Sequence, residues 1–497
     1  MGSGKKALAG MKWSILVNFV NAITGFVATP FLIHYFGRSD YGLISLAGSI
    51  NAYMALMDLG LSSTNVRFFS NWLAKGDTLK VKKLMQTCTS FYGWVGVLNA
   101  LVLFIISIFS KDIFNVTDYQ DHILKQMLWL LAGMAVINWY TSCYNQIISA
   151  TENVAWVMKR SLLTKILVIG VIIATLLFKL SLIEYFIGSL LVTLIVLPVT
   201  IRKIKKETPF VSLIGKFDRN IFKEILPYSL SVFSFGIFQF SYNQLKVVIV
   251  GIQGTIGAVT DFGIMASIAG LVAMVSNVFI QSLLPSSSRI VANNDKEGFD
   301  RIAYQGTHII TLVLCFCAFG LMSVDRDLMI IYVGESYLRL IPWLNIWLLL
   351  TITGNVSCIS SLILGGTNVK PLAYSSAFAS ISAIAVSWFL VPEFQAGGVV
   401  LGMIVYNAVQ QLFYYTYYWR VILRIDTLKI FIKTDIPFIM LGSIIVLFLD
   451  NLPHFSNHWI NVLVFGIAFS AIFLSISYIL LGKQSRNYLF NLIKQKA

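Results

Sequence analysis

Long apolar runs, separated by short polar segments, recur along the whole chain. Most of them cover about 18 to 25 residues, which is enough for a helix to cross the ~30 Å hydrocarbon core of a bilayer. They lie at residues 11–34, 42–63, 86–109, 126–149, 161–179, 182–201, 227–251, 261–285, 303–323, 340–364, 371–391, 397–419, 436–450 and 459–481. The pattern therefore predicts an all-α polytopic membrane protein with about fourteen transmembrane helices.

The composition agrees with this prediction. Hydrophobic residues make up 57% of the 497 residues and charged residues only 12%, which excludes an ordinary soluble domain. Most of the 37 lysines and arginines fall in alternate connecting segments, and this bias predicts cytoplasmic N- and C-termini. Because the net charge of +15 is spread over loops beside membrane helices, we do not expect nucleic acid as a partner.

The sequence contains no motif for a cofactor or for catalysis. Its five cysteines all fall in predicted spans, where they serve as small apolar residues. Phosphate-binding glycine loops, zinc-ligand spacings and nucleophile elbows are lacking. The first apolar run is also too long for a cleavable signal peptide. We therefore expect no cofactor, no metal and no catalytic residue.

An internal repeat divides the predicted spans into two lobes. Ser142–Val154 resembles Ser357–Val369, and residues 41–50 resemble residues 262–271 at a similar offset. The offset equals six spans, an even number, so both copies share one orientation. This predicts two six-helix lobes related by a pseudo-twofold axis along the membrane normal, plus two C-terminal helices. The predicted parts are the N-terminal lobe at 1–201, a basic cytoplasmic linker at 202–226, the C-terminal lobe at 227–419, a cytoplasmic linker at 420–435, two additional helices at 436–481 and a cytoplasmic tail at 482–497.

Polar residues at helical spacing mark one face of two spans. In the seventh span they are Gln239, Tyr242, Asn243 and Lys246, at i, i+3, i+4 and i+7. In the first span they are Ser14, Asn18, Asn21, Gly25 and Thr29. Since lipid requires no polar stripe, we expect the two striped helices, one from each lobe, to face a hydrophilic central cavity. Polar residues of the fourth and tenth spans either extend its wall or mediate helix packing; they are Asn138, Ser142, Asn145, Asn355 and Ser357.

Several basic residues lie inside or beside predicted spans. An ammonium at Lys246 costs about 3 kcal/mol at the middle of a membrane helix. Lys246 therefore either holds an anionic substrate group or pairs with Asp261. Arg67 and Arg289, near the inner ends of the second and eighth spans, either line the cavity or are ordinary interfacial arginines. Lys165, in the fifth span, either belongs to the site or snorkels to the interface.

Asp58 is the only carboxylate well inside a span of the first lobe. A carboxyl group in a low dielectric can exchange a proton near neutral pH, so Asp58 could bind a coupling cation or a proton. It could equally pair with Arg67 or with another cation of the cavity. Asp58 and Asp261 are thus the candidates for ion coupling or charge pairing.

The block from Phe26 to Asn71 resembles the opening of a known transporter family. Its pattern is Phe36-Gly37 and Tyr41-Gly42 around a turn, then Asp58-Leu59-Gly60 and a following arginine, Arg67. This is similar to the polysaccharide-transporter branch of the multidrug/oligosaccharidyl-lipid/polysaccharide exporter superfamily, which includes the Wzx-type flippases of O-antigen and capsule repeat units. The resemblance covers the whole chain in length and span number, but its signature is concentrated in the first 80 residues.

The resemblance implies a flippase of the bacterial inner membrane and not an enzyme. The expected substrate is a polyprenyl-diphosphate-linked oligosaccharide, moved from the cytoplasmic to the outer leaflet by alternating access. A proton or sodium gradient, or the membrane potential, would drive it. The expected partners are this substrate, membrane lipids and the downstream polysaccharide polymerase machinery, and the last two helices would guide the lipid tail. The cationic cavity would consist of Lys246, Arg67, Arg289 and Lys165.

Two other functions remain open at this point. A multidrug exporter, or another lipid-precursor exporter of the same superfamily, would share the fold, although organic cations would favour an acidic cavity. A membrane polymerase or ligase would be expected to carry a large outer loop with catalytic side chains, and the outer segments here are short. Basic residues in or beside the spans outnumber acidic ones, which favours an anionic substrate.

Overall fold

Helices form nearly all of the chain. The computed structural model describes residues 3–293, 295–364 and 370–481, and these residues contain no β-strand. The first ten α-helices are α1 (Ser3–Phe36), α2 (Arg38–Tyr53), α3 (Leu61–Ala74), α4 (Thr78–Ile108), α5 (Ser110–Ile113), α6 (Asp118–Tyr140), α7 (Ser142–Ala150), α8 (Val154–Phe178), α9 (Leu182–Glu207) and α10 (Arg219–Gln253).

The remaining α-helices follow without a large intervening domain. They are α11 (Ile256–Ala292), α12 (Lys296–Asp300), α13 (Thr307–Met322), α14 (Asp325–Val333), α15 (Ile341–Ile352), α16 (Ser357–Leu364), α17 (Lys370–Phe394), α18 (Ala396–Phe413), α19 (Thr427–Ile430), α20 (Ile436–Asp450) and α21 (His458–Leu480). Short 3-10 helices occur at Met54–Asp58, Glu335–Leu340 and Thr353–Val356. Short π-helices occur at Arg301–Gly306, Tyr414–Ile422 and Phe431–Asp435.

Many of these helices are long and apolar enough to cross a membrane. Within the described residues, 11 helices meet this criterion, and up to 13 do if each of two bent helix pairs counts as one span. The remaining predicted run, 126–149, is helical but is divided at Thr141 between α6 and α7. The protein is therefore a multi-pass membrane protein of the predicted all-α class, and the count of fourteen stays a prediction.

The chain separates into two compact units. The first unit comprises Met1–Thr260 and Trp388–Ala396, and the second comprises Asp261–Ser387 and Gly397–Ala497. The packing thus groups α10 with the first unit, whereas the internal repeat assigns it to the second lobe. The predicted lobe boundaries therefore stay a prediction.

The basic linker explains how α10 is held to the first unit. The backbone N–H of Lys216 donates to the carbonyl of Gln86 at 3.1 Å, and that of Gly215 donates to the Tyr140 hydroxyl at 3.3 Å. Asp218 caps α10 by accepting from Asn220 and Ile221, and it pairs with Lys83 at 3.3 Å. The start of α10 is consequently fixed against the N-terminal part of α4.

The pKa of Asp218 reflects these contacts. The hydrogen bond from the Ile221 N–H is the largest influence and lowers the pKa below its ordinary value. Partial desolvation acts in the opposite direction, but the ammonium of Lys83 and the N–H of Asn220 add to the lowering. The carboxylate that caps α10 is therefore held in its ionised form.

The hydrophobic core of the first unit lies between α3, α4, α7, α9 and α10. Its fully buried members include Phe69, Leu84, Tyr92 and Ile147. A segment from much later in the sequence joins the same unit: the side-chain oxygen of Gln395 accepts from the backbone N–H of Thr255 at 3.1 Å. All five cysteines are free, and Cys88 and Cys143 belong to this core.

Candidate functional site at two helix breaks

The second span is broken at the Asp58-Leu59-Gly60 motif. A 3-10 turn, Met54–Asp58, follows α2, and the next two residues adopt the left-handed conformation, Leu59 with φ of 51° and Gly60 with φ of 77°. The two halves of the span meet at a 45° bend. Glycine adopts positive φ at little cost, so its place directly before α3 has a conformational reason.

The close approach of α10 is a second reason why a glycine is required at position 60. A Cβ at this position would lie 2.6 Å from the carbonyl oxygen of Ser229 on α10. The Ser229 hydroxyl in turn donates to the carbonyl of Leu59 at 2.6 Å. α10 is itself bent by 55° between Ser234 and Gly236. Two bent spans of the first unit therefore meet at this motif.

A cavity of about 420 Å³ lies at these two bends. It is lined by Ala55, Leu56, Asp58, Leu59, Gly60, Val232, Phe233, Gly236, Ile237, Gln239, Phe240 and Asn243. The wall is mostly apolar with a few polar groups, as is usual for binding sites of small molecules. Three residues singled out from the sequence, Asp58, Gln239 and Asn243, thus line one cavity.

The carboxylate of Asp58 is held by three hydrogen bonds. Oδ1 accepts from the Tyr92 hydroxyl at 2.7 Å and from the Ser62 hydroxyl at 2.8 Å. Oδ2 accepts from the backbone N–H of Ser62 at 3.0 Å, in the first turn of α3. A carboxylate at a helix N-terminus is favoured by the helix dipole and by the otherwise unpaired N–H groups there. Both carboxylate oxygens of Asp58 therefore have hydrogen-bond donors from α3 and α4.

A second layer of side chains fixes these donors. The Gln146 amide donates to the Tyr92 hydroxyl at 3.1 Å and to the Ser62 hydroxyl at 3.0 Å. Its oxygen accepts from the Asn65 amide at 2.8 Å. The Asn65 oxygen accepts from the Cys88 thiol at 3.1 Å. This network joins α3, α4 and α7 around the carboxylate, and each hydroxyl proton in it has one acceptor.

Lys246 lies on the same helix as Gln239 and Asn243. Its Nζ atom sits 4.7 Å from the centre of the Tyr242 ring, so a cation–π contact partly stabilises the ammonium. Lys246 forms no ion pair within the described residues of the first unit. In the second unit the carboxylate of Asp261 pairs with Arg339 at 2.7 Å. Asp261 thus has a counter-ion other than Lys246. The pairing of Lys246 with Asp261 stays a prediction.

Arg67 points away from the Asp58 network. It is exposed on α3, and its guanidinium lies 4.0 Å from the centre of the Tyr228 ring. No ion pair joins Arg67 to Asp58 in the described part of the chain, because Asp58 accepts from Ser62 and Tyr92 instead. Arg289 lies within α11, but its side chain lies outside the described residues.

Lys165 lies nearer the middle of its helix than the predicted span 161–179 indicated. α8 begins at Val154, so 11 residues of the helix precede Lys165. α1 and α8 run in parallel, because Lys159 stacks on Trp13 at 4.8 Å and the Tyr35 hydroxyl donates to the carbonyl of Leu180.

This register places Lys165 level with the polar stripe of α1. The corresponding α1 residues are Asn18 and Asn21, both half-buried. The side-chain oxygen of Asn21 is buried and has no hydrogen-bond partner in the described residues. An unpaired acceptor therefore lies at the depth of the Lys165 ammonium.

The basic residues do not form a single cluster. Arg67 stacks on Tyr228 and Lys246 on Tyr242, both of α10. Fourteen residues of helix separate the two tyrosines, which corresponds to at most ~21 Å along the axis. The rings that hold the two cations therefore lie on different turns of α10.

Several residues of these networks were not singled out from the sequence. Tyr92 and Gln146 belong to neither of the two polar stripes found in the sequence, so no periodic signal marked them. In the second unit Asp435 is buried with 4% of its surface exposed, although it falls in the predicted linker 420–435. The helical segment of this span begins at Thr427, nine residues before the predicted start of the apolar run. A single carboxylate beside a short apolar run gave no reason to place it inside the protein.

The fold is similar to that of solved transporters over most of the chain. The lipid II flippase MurJ, in an inward closed conformation, matches with a TM-score of 0.70 and 15% identity, over 94% of this chain and 98% of MurJ. An inward-facing MATE family multidrug resistance transporter of the MOP superfamily has a TM-score of 0.62 and 14% identity, over 90% of this chain and 100% of its own. The MATE multidrug transporter DinF-BH gives 0.61 and 15%, over 83% of this chain and 96% of its own. At such identities the likeness shows the fold alone.

The sequence comparison shows the family. No curated protein matches the chain significantly. The sequence profile of a family described as polysaccharide biosynthesis protein matches residues 7–291, which is more than half of the chain. The protein therefore belongs to the polysaccharide biosynthesis protein family and has the fold shared by MurJ and the MATE transporters of the MOP superfamily.

Proposed function

We propose that this protein is a flippase that moves a polyprenyl-diphosphate-linked oligosaccharide repeat unit from the cytoplasmic to the outer leaflet of a bacterial inner membrane. The repeat unit would serve surface polysaccharide assembly, such as O-antigen or capsule. Alternating access, driven by a proton or sodium gradient or by the membrane potential, would carry it across. The family match and the likeness to a lipid II flippase support this class of substrate.

The observation that carries the proposal is the polar face of α10. Gln239 and Asn243 line the cavity at the two helix breaks, and Lys246 continues the same face one turn further along the helix. Amide groups hydrogen-bond to sugar hydroxyls, and an ammonium held inside a membrane attracts an anion such as a diphosphate. The face thus offers both kinds of contact that a lipid-linked oligosaccharide requires.

The other basic residues fit a long substrate. Arg67 and Lys246 stack on rings from different turns of α10, and a lipid diphosphate with several sugars is long enough to meet both. We assign Lys246, Arg67, Arg289 and Lys165 to this path. Asp58, or Asp261, would carry the coupling ion or balance a basic residue of the path.

A second candidate is a multidrug exporter, or another lipid-precursor exporter, of the same superfamily. Asp58 favours it, because a carboxylate that lines the cavity would attract an organic cation. The hydrogen bonds from Tyr92 and Ser62 already stabilise that carboxylate, whereas Lys246 has no ionic partner in the first unit. We therefore rank the anionic substrate first.

The test is transport by the purified protein in proteoliposomes. Polyprenyl-diphosphate oligosaccharide is placed in one leaflet, and its accessibility on the other side is followed under an imposed proton or sodium gradient. Lys246→Gln is compared with Lys82→Gln, which removes an exposed lysine of the same unit. Glycan movement that needs the protein and is lost in Lys246→Gln alone supports the proposal. Movement of organic cations without any glycan movement would support the drug-exporter candidate instead.

The location and partners follow from this function. We propose that both termini face the cytoplasm, as the distribution of basic residues predicts. The downstream partner would be the polymerase machinery that consumes the translocated repeat unit.

A further inference from the structure

Asp435 is a buried carboxyl group in the second unit. It ends the π-helix Phe431–Asp435 and directly precedes α20, with 4% of its surface exposed. The Tyr415 hydroxyl donates to Oδ2, and the Asn355 amide donates to Oδ1 at 2.8 Å. Residues of three further helical segments therefore surround this group, at Thr307–Met322, Thr353–Val356 and Tyr414–Ile422.

Thr311 lies beside the carboxyl group of Asp435 without neutralising it. Its Oγ1 atom is 3.5 Å from Oδ1 of Asp435, which is too long for an O–H···O hydrogen bond. The Thr311 hydroxyl is closer to the carbonyl of Thr307, at 2.8 Å, and to the Asn355 amide, at 3.1 Å. Within the described residues, Oδ1 therefore has one short hydrogen bond, which Asn355 donates.

No basic residue compensates a charge on Asp435. No ion pair of Asp435 occurs in the part of the chain that the structure describes. The titratable side chains on the surrounding elements are His308, Cys315 and Cys317 on α13, four tyrosines and the exposed Arg420 on the π-helix Tyr414–Ile422, and Lys433 on its own segment. Lys433 is exposed, so its ammonium lies away from the buried site. An ionised carboxylate buried without a counter-charge is strongly disfavoured.

His308 lies beside the site without neutralising it. Its Nδ1 atom is 3.4 Å from the Thr434 hydroxyl, and its ring packs edge-on against Phe438 with the ring centres 5.1 Å apart. Its Nε2 atom is buried with no hydrogen-bond partner in the described residues. The nearest imidazole therefore contacts the residue next to Asp435 and not the carboxyl group.

We propose that Asp435 is a proton-binding site of the second unit, because its carboxyl group is buried and has no counter-charge among the described residues. A sodium ion fits less well, because it requires oxygen lone pairs around it. Here the carboxyl oxygens face the N–H of Asn355 and the O–H of Tyr415. The protonated side chain bridges the ninth, tenth and twelfth spans to the thirteenth. Loss of the proton leaves a bare charge at this junction, so the packing of the four spans depends on it.

A role of this proton in driving transport rests on the proposed function. The presence of the proton on Asp435 does not depend on that function. If a proton gradient drives the flippase, Asp435 offers a second titratable site, in the second unit, besides Asp58 in the first. The two sites differ in kind, because Asp58 has three donors to its carboxylate and Asp435 has two.

Infrared spectroscopy of the full-length protein in lipid nanodiscs, with isotope-labelled aspartate, tests the proposal directly. At neutral pH we expect the C=O stretching band of a protonated aspartate, lost in Asp435→Asn and retained in the matched variant Asp58→Asn. Tyr415→Phe removes the donor to Oδ2 and should shift this band to higher frequency, which covers the case that Asp435→Asn fails to fold. A spectrum without such a band, or a band unchanged in Asp435→Asn, would overturn the proposal. Loss of the band on adding sodium would show that a sodium ion displaces the proton, and this result would also overturn the proposal.

A transport measurement separates this inference from the proposed function. If wild-type protein moves no glycan but shows the band, the proton site stands and the flippase assignment fails. If the glycan moves but the band is absent, the flippase assignment stands and the proton site fails. With both present, we expect Asp435→Asn to lose the acceleration by a proton gradient; if the acceleration persists, Asp435 plays no part in coupling.

Discussion

The hydroxyl of Ser229 donates a hydrogen bond to the backbone carbonyl of Leu59 at 2.6 Å. The acceptor lies inside the left-handed pair Leu59-Gly60, where no helical hydrogen bond satisfies that carbonyl. The bond therefore attaches α10 to the break in the second span. The geometry of the cavity depends on this attachment, because residues on both sides of it form the cavity wall.

Gly60→Ala should be more destabilising than the same change at another left-handed glycine. Gly76 has a similar φ of 72°, but a Cβ there meets nothing within 4 Å, whereas at Gly60 it lies 2.6 Å from the Ser229 carbonyl. We expect Gly76→Ala to cost about 1 kcal/mol from backbone strain. Gly60→Ala should cost a further 1–3 kcal/mol or so from overpacking. Thermal unfolding in detergent measures the stability of both variants. Equal losses of stability would show that α10 can move away from the new methyl group without cost.

The Asp58 network predicts strong coupling between Asp58 and Tyr92. Asp58→Ala leaves the Tyr92 hydroxyl and the Ser62 N–H without their acceptor, at a cost of about 1–3 kcal/mol. Tyr92→Phe removes one donor and should cost about 1 kcal/mol. In a double-mutant cycle of unfolding free energies, the two changes should not add, because both remove the same hydrogen bond. Additive losses would mean that the contact contributes nothing to stability.

Lys246→Gln should abolish most glycan export while leaving the protein folded in the membrane. Lys246 has no ion pair among the described residues of the first unit, so the substitution should relieve a desolvation cost there instead of breaking an ion pair. Lys246→Arg keeps the charge and should retain export. Membrane abundance and export are measured together. Loss of the Lys246→Gln protein from the membrane would instead indicate that Lys246 stabilises the fold through a partner such as Asp261.

The stacking of Arg67 on Tyr228 should contribute little to stability. A cation–π contact at an exposed site is worth about 0.5–1 kcal/mol, and the guanidinium lies 4.0 Å from the ring centre. Tyr228→Phe should therefore leave stability unchanged, whereas Tyr228→Ala should lower it by roughly this amount. If Arg67 also binds substrate, Arg67→Gln should reduce export far more than Tyr228→Ala does. Equal losses of export in both would confine Arg67 to a packing role.

Acid should release the linker that holds α10. Because the pKa of Asp218 is lowered in the folded protein, its contribution is present above the unfolded value of about 4 and is lost as pH falls through the lower folded value. Asp218→Ala should reproduce this release at neutral pH and expose the bond after Lys216 to trypsin. Asp300→Ala removes an exposed acid from the second unit and serves as the control. Unchanged cleavage in Asp218→Ala would show that backbone contacts alone hold the linker.

The spacing of polar residues and the family motif predicted those parts of the site that lie on one continuous segment of the sequence. Gln239 and Asn243 were found by their spacing, since residues four apart on a helix share a face. Asp58 was singled out as a carboxylate inside an apolar run, and the Asp58-Leu59-Gly60 motif was recognised from the family resemblance. The structure adds the reason for the motif, which is the left-handed break and its contact with Ser229.

The sequence could not reveal groups assembled from distant segments. Asp435 meets Thr311, Asn355 and Tyr415, and no local pattern connects these positions. Asp435 also lies beside Lys433 at the edge of a short apolar run, which is typical of a cytoplasmic loop. The unit boundary was hidden for a similar reason, because the linker contacts Gln86 and Tyr140 through backbone groups that composition does not report.

The participation of residues 388–396 in the first unit has a consequence for biosynthesis. Gln395, which accepts from Thr255, is translated only after most of the second unit has left the ribosome. Domains commonly fold in the order in which they are synthesised, but here the earlier one must wait for a segment encoded far downstream. A stalled or truncated nascent chain that ends near Thr260 would therefore insert its helices without completing the first unit, and it would be a substrate for membrane quality control.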